Sequence, residues 1–296
     1  METTASEPRQ KNRLTGGLRL RGMKKQGTAD SPLVSIVTIV RNGEAHIRKT
    51  LESVLQQSYT SLEYIVIDGN SKDATISILR QYDDRIDYWQ SESDEGISDA
   101  FNKGILAAHG DIIGLINCGD WYEADAVPRV VAAFSANQDV GVVCGALQFW
   151  RGASREYCCG SVPRLLEREM TITHPTCFIR AELYHRFGLY SMEYKFAMDY
   201  ELLLRLKRQG VRFMSLTAVL ANMQHEGVSE ANWKDALQET HRARVALLGN
   251  SFFAGRSYFL FLIAKRGLRI GLEQLGLNSV IRFYRSRLAL VKKHKP

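Results

Sequence analysis

The sequence predicts an α/β fold: a doubly wound, mostly parallel sheet of Rossmann-like type with a helical, basic appendage at its carboxyl end. Three observations predict it. Apolar runs of strand length alternate with helix-period segments from Leu33 onward. Polar turns containing Gly, Asn and Asp follow several of those runs. Residues 250–296 mix apolar side chains with ten Lys or Arg against one acid.

Along the chain, residues 1–30 carry seven Lys or Arg against three Asp or Glu without periodicity, so they are expected to form a mobile basic leader outside the fold. The run LVSIVTIV (33–40), a helix over about 44–57 with Ile47, Leu51, Val54 and Leu55 on one face, and LEYIVI (62–67) make a β-α-β unit. A helix follows the start signal at 73–75, a short strand lies near 86–90, and a helix spans about 98–109, with Gly110 placed to end it. Then come the strand IIGLI (112–116), a helix after Asp125 and the strand VGVVCGALQFW (140–150). Residues 151–176 lack a clear period and are expected to be a loop or small excursion, with helix returning at 199–209. The domain reading is a leader over 1–30, a main domain over 31–249 and an amphipathic tail over 250–296.

Composition narrows the function. With 45% hydrophobic and 24% charged side chains the chain can bury a full core. Its net charge of +7 comes from the two ends, which leaves residues 31–249 net acidic and disfavours a nucleic-acid-binding core. Five cysteines, odd in number and with no C-x-x-C pair, read as free thiols in a reducing compartment. Residues 1–30 lack the apolar segment of a signal peptide, so a cytoplasmic location is expected. The run SYFLFLIA (257–264) is far short of the ~20 residues that span a bilayer. The residues after it (Leu268, Ile270, Leu272, Leu275, Val280, Ile281, Phe283, Leu288), set among Arg and Lys, suit helices lying on an anionic membrane surface and equally helices closing the core.

Four segments carry chemistry. IVIDGNSKDAT (65–75) ends a strand at Asp68 and leaves a Gly-containing turn, with Asn70 in it, at the sheet's carboxyl edge; nucleotide site and simple turn are equally good readings. SDEGISDAFNKG (93–104) sets Asp94 before a helix and Lys103 on its early turns, either to bind an anionic group or, for Asp94 and Ser98, simply to cap the helix. LINCGDW (115–121) breaks a strand into Asn117 and Asp120, suiting a hard cation that takes one carboxylate plus two diphosphate oxygens; Asp120 is the candidate ligand. KFAMDYELLLR (195–205) starts an amphipathic helix with Asp199. No G-x-x-x-x-G-K-[ST] or G-x-G-x-x-G follows a strand, which removes the main support for ATP-type and NAD-type readings.

In this order and spacing the four segments, with the opening strand VSIVTIVRN (34–42), resemble family 2 glycosyltransferases of the GT-A fold, and their wording is most similar to bacterial exopolysaccharide enzymes. The resemblance runs from about residue 33 to 229. It implies that Asp68 and Asp94 hold the nucleoside, with Asn70, Lys103 and Asn117 beside the donor, that Asp120 binds Mg²⁺ or Mn²⁺, and that Asp199 is the general base. Asn117 stands where a first Asp of the metal motif is common, and Met198 where the family has Glu. QHEGVS (224–229) falls where the family has a segment near the diphosphate, so His225 is a candidate metal ligand, against the reading of a structural or solvent-facing His. The processive signature Gln-x-x-Arg-Trp is absent, which favours single-sugar addition.

The implied reaction is inverting transfer from a nucleotide-sugar donor, such as a UDP-sugar, to a hydroxyl of a lipid-linked glycan in polysaccharide biosynthesis. The expected enzyme is cytoplasmic and peripheral on the inner face of the membrane, with no nucleic-acid partner. The alternatives are a nucleotidyltransferase on a similar sheet and a non-catalytic domain of this type that binds membranes or partners.

Overall fold

The computed structural model describes residues 13–224, 232–275, 277 and 293–294. His225, Val280, Ile281, Phe283 and Leu288 lie outside the described residues.

The expected core unit forms as read. Strands β2 (Val34–Val40) and β3 (Leu62–Asp68) pair in parallel around helix α1 (Ile47–Leu55), and every residue of both strands is buried. Burial on both faces explains why these strands read as continuous apolar runs and not as alternation. Helix α2 (Thr75–Gln81) leads to β4 (Tyr88–Ser91), α3 (Ile97–Ala107) to β5 (Ile112–Asn117), and α4 (Ala126–Ala136) to the long β7 (Val140–Arg151). The order β4-β3-β2-β5 is parallel throughout. Two apolar clusters cover the two faces: one includes residues of α1, α2 and α4, the other residues of α3, α6 (Met198–Arg208) and α7 (Trp233–Leu248).

Two expectations need correction. The leader joins the fold from Leu14: β1 (Leu14–Gly16) adds to the edge of β4, antiparallel to it. Charge holds it there, not an apolar face. Arg19 pairs with the buried Glu63, Arg21 with Asp83 at 2.8 Å, and Lys25 with Asp87 at 2.9 Å. At Gly16 a Cβ would lie 2.2 Å from the Trp89 indole nitrogen, so only glycine permits this approach. Residues 1–12 lie outside the described part.

The expected loop over 151–176 contains β8 (Ser154–Cys159), a hairpin partner of β7, and two short 3-10 turns, Pro163–Leu165 and His174–Thr176. The sheet is mostly parallel, as expected, and mixed beyond β5. Strand β9 (Phe178–Arg180), which leads into α5 (Ala181–Phe187), sits antiparallel between β5 and β7. Strand β10 (Arg212–Gln224) runs parallel to β7, and β6 (Trp121–Tyr122) pairs antiparallel with β10. Strand β11 (Lys293–His294) pairs with β8.

At the carboxyl end, α8 (Arg256–Gln274) seats Tyr258 and Leu262, one turn apart, in the core. Leu260, Phe261 and Leu268 stay exposed at 62%, 56% and 68%.

Candidate active site

The turns at the carboxyl ends of β2, β3, β4 and β5 gather at one edge, stitched by side chain to backbone. Ser71 Oγ accepts from Asn42 N at 2.7 Å, Asn42 Oδ1 accepts from Lys72 N at 2.8 Å, and Thr75 Oγ1 accepts from Gly43 N at 2.9 Å. Asn42 and Asn70 hold left-handed backbone, at φ 51° and 60°, a conformation asparagine tolerates better than most residues.

Asp68 is fully buried at the heart of these turns. Its carboxylate accepts from Ser71 N at 3.0 Å, from Ser71 Oγ, and from Ser91 Oγ at 2.6 Å, so it shapes the turn after β3. Asn70 is exposed enough to donate to Ser93 Oγ at 3.0 Å and to accept from Lys72 Nζ at 2.8 Å. Asp94 lies against Gly69, where a Cβ would sit 2.2 Å from Asp94 Oδ2, and its Oδ1 accepts from Gly96 N at 3.0 Å. The structure therefore brings Asp68, Asn70 and Asp94 together.

Lys103 is placed differently from the expectation of a charge offered to a ligand. Its ammonium lies 3.0 Å from both Glu92 and Asp99 and donates to Ser93 O at 2.9 Å. Two carboxylates already neutralise it.

Asp120 follows β5 on a turn that depends on Gly119 at φ 100°. Thr50 of α1 fixes that turn by donating to Asp120 O at 2.7 Å and accepting from Gly119 N at 3.0 Å. The Asp120 side chain is buried, burial pushes its carboxyl up to about 8, and the Asn117 side chain is the hydrogen-bond partner opposing that rise. Its Oδ2 is buried with no hydrogen-bond partner. An orphaned buried carboxylate oxygen is costly unless a cation meets it, and it fits one ligand position of a hard divalent ion. Among the described residues no group of three His, Cys, Asp or Glu could hold a metal.

Asp199 occupies the first turn of α6. Burial raises its carboxyl above the usual range, while His174 nearby opposes the rise; burial in turn lowers the His174 imidazole. His174 Nε2 lies 2.8 Å from Tyr190 Oη, and Phe101 contacts both rings, at 5.5 and 5.6 Å between centroids. Asn102 of α3 fixes Tyr190 reciprocally, donating to its carbonyl and accepting from its N–H, both at 2.9 Å. Glu201, the neighbouring acid, is engaged elsewhere: it accepts from Arg205 Nε at 2.8 Å and Nη2 at 3.0 Å, and Arg205 also donates to the carbonyls of Gly188 and Leu189. Asp199 is thus the acid of this helix whose carboxylate takes no side-chain ion pair among the described residues. Tyr190 carries no signal in the sequence, because it lies outside the segment that holds Asp199.

The family model described as Glycosyl transferase family 2 matches residues 35–157. An uncharacterized glycosyltransferase of Mycobacterium tuberculosis is 32% identical over 181 residues, covering 59% of this chain and 69% of the relative. The chain belongs to glycosyl transferase family 2.

Two solved structures place that family membership in three dimensions. TarS 1-349 of S. aureus, in complex with UDP, matches with a TM-score of 0.58 and 18% identity over 74% of this chain; this chain spans 66% of that one. A mannosyltransferase from Pyrobaculum calidifontis, in complex with GDP-Man and Mn²⁺, matches with a TM-score of 0.57 and 17% identity, covering 90% of this chain and 86% of that one. At such identities the likeness shows the fold, which is GT-A.

Proposed function

We propose that this family 2 glycosyltransferase is inverting and metal-dependent. It would move a sugar from a nucleotide-diphosphate sugar to a hydroxyl of a lipid-linked glycan in polysaccharide biosynthesis. The observation that carries the reading is Asp199: a carboxylate raised by burial, with no side-chain ion pair among the described residues, at the start of α6 beside His174 and Tyr190. A raised carboxyl suits a base that must take a hydroxyl proton near neutral pH. In a single displacement the acceptor oxygen attacks the anomeric carbon as Asp199 takes its proton, and the nucleoside diphosphate leaves from the opposite face. No enzyme nucleophile is needed.

Asn70 and Asp94 are assigned to the nucleoside, with Asp68 shaping the turn that carries Asn70 and not contacting the nucleoside itself, and Asp120 to Mg²⁺ or Mn²⁺, with Asn117 orienting the Asp120 carboxylate. When bound, the ion relieves charge on the leaving diphosphate. The TarS structure in complex with UDP and the mannosyltransferase structure in complex with GDP-Man and Mn²⁺ support a nucleotide sugar as donor and a divalent cation as cofactor. His225 is kept as a second candidate ligand on sequence grounds.

A donor screen with UDP-GlcNAc, UDP-glucose and GDP-mannose, each with Mn²⁺ or Mg²⁺, tests the reaction. Metal-dependent release of nucleoside diphosphate from one of them is expected. Release of pyrophosphate would instead mark a nucleotidyltransferase, and nucleotide binding without turnover would mark a non-catalytic domain.

No described helix is long and apolar enough to cross a membrane. Membrane attachment at the cytoplasmic face is assigned to α8, whose exposed Phe261 and Leu268 lie seven positions apart and so on one face, in a segment rich in Arg and Lys. Deleting the tail would uncover the sites of Tyr258 and Leu262, so substitution is the cleaner test. Changing Leu260, Phe261 and Leu268 together to Ser is expected to weaken sedimentation with phosphatidylglycerol vesicles by about tenfold or more. Unchanged sedimentation, or equal binding of the parent protein to neutral vesicles, would remove the membrane from the reading.

A further inference from the structure

Helix α6 begins without a cap of its own. The residue before it is Ala197, which offers no side-chain acceptor, although the first N–H groups of any helix lack intrahelical partners. A carboxylate from another helix instead binds the amides that run into the helix start. Glu239, in the middle of α7, accepts from Lys195 N at 3.0 Å, Phe196 N at 2.7 Å and Ala197 N at 3.0 Å. These are the three residues that lead into Met198 and Asp199.

Two more residues of α7 hold the same stretch. Arg242 donates to Glu193 O and lies over the Tyr194 ring, 4.6 Å from its centroid. Arg244, 1% exposed, donates to Tyr200 Oη at 3.2 Å. The chain is thus gripped on both sides of Asp199, at 193–197 and at 200, by one helix that lies wholly beyond the segment matched by the family model.

We propose that Glu239 is a positioning residue for the transfer reaction, fixing the turn that carries Asp199 from across the gap between α7 and α6. This rests on the reading of Asp199 as the base. A carboxylate on three converging amides at a helix start is strongly held, because the amides point at it and the helix dipole favours negative charge there. It also consumes the 195–197 amides, so those amides are not free for the donor's diphosphate, and donor affinity has no direct stake in Glu239. Loss of the carboxylate frees the 195–197 backbone, and the base loses its fixed distance to the acceptor oxygen. Misplacement of about 1 Å costs up to ~10²-fold in rate.

The test compares Glu239→Ala with Glu239→Gln, which keeps one acceptor oxygen for the amides. Turnover is followed with the donor that the screen above selects, and amide hydrogen exchange over 195–200 is followed without any ligand. In Glu239→Ala, kcat is expected to fall about 10- to 100-fold with donor KM within about twofold, and exchange over 195–200 to quicken. Glu239→Gln is expected to recover most of both. Asp235→Asn, an exposed acid one turn earlier on α7, is expected to behave as the parent.

Unchanged exchange in both Glu239 variants would overturn the brace itself. Quickened exchange with parental kcat, or a rise in donor KM that accounts for the whole loss, would overturn the positioning role. Asp199→Asn run in parallel separates the two readings: if it retains transfer, the base assignment falls, and the exchange data still decide whether Glu239 holds the turn.

Discussion

Asp120→Ala is expected to abolish the contribution of Mn²⁺ to donor binding. Titrating UDP calorimetrically with and without Mn²⁺ measures it: the parent should bind UDP at least about tenfold more tightly with the ion, and the variant equally with and without it. The substitution should not unfold the protein. Asp120 Oδ2 is buried and unpartnered in the free chain, so its removal relieves a desolvated group and breaks no ion pair. The Asp120 backbone contacts that shape the turn, through Thr50 and Gly119, survive in alanine. Turnover should fall with binding, because the diphosphate would lose the protein-held counter-charge as it leaves. Parental Mn²⁺-dependent UDP affinity in a folded Asp120→Ala protein would return Asp120 to a purely structural role.

The sequence made the half of the fold that rests on parallel strands legible. LVSIVTIV and LEYIVI are buried on both faces and so appear as unbroken apolar runs, and the helices between them bury one stripe each. What stayed hidden is held by interactions without a period. Strand β1 docks through Arg19, Arg21 and Lys25 onto Glu63, Asp83 and Asp87, and a run of isolated basic residues looks the same in a solvated leader. Strands β6 and β9 have two and three residues, too few for alternation to register. Strand β8 carries Ser154, Arg155 and Glu156 on an outer hairpin, where little apolar burial marks it.

The site divides in the same way. Each motif falls at a strand end or helix start, as local sequence can indicate, but which side chain is free and which is consumed depends on distant partners. Lys103 is spent on Glu92 and Asp99, Glu201 on Arg205, and Asp68 on Ser71 and Ser91. Of the distant partners that matter, Tyr190 and Glu239 carried no signal in their own neighbourhoods. The absence of a capping residue before Met198 was the one hint that a cap had to come from elsewhere.

Asp199→Asn is expected to fold, to bind donor about as well as the parent, and to lose about 10²-fold or more in transfer rate, since a general base contributes ~10²–10⁴. Folding is favoured by the sign of the pKa shift. Burial raises Asp199 in the native state above its unfolded value, so its stabilising protonated form is lost as pH rises through the native pKa, and the ionised group costs stability at neutral pH. The neutral amide removes that cost, and the variant's urea midpoint at pH 7 should not fall below the parent's. The same shift sets the pH profile. The acid limb of kcat in the parent should lie above the ordinary carboxylate range, and the residual rate of Asp199→Asn should not show that limb. Glu201→Gln is the discriminating companion. Two positions along α6 turn Glu201 about 200° away from Asp199, and Glu201 anchors Arg205 to the carbonyls of Gly188 and Leu189. Its loss should therefore lower the unfolding midpoint more than the transfer rate. If Glu201→Gln alone lost turnover while binding donor and staying folded, the base would be Glu201 and not Asp199.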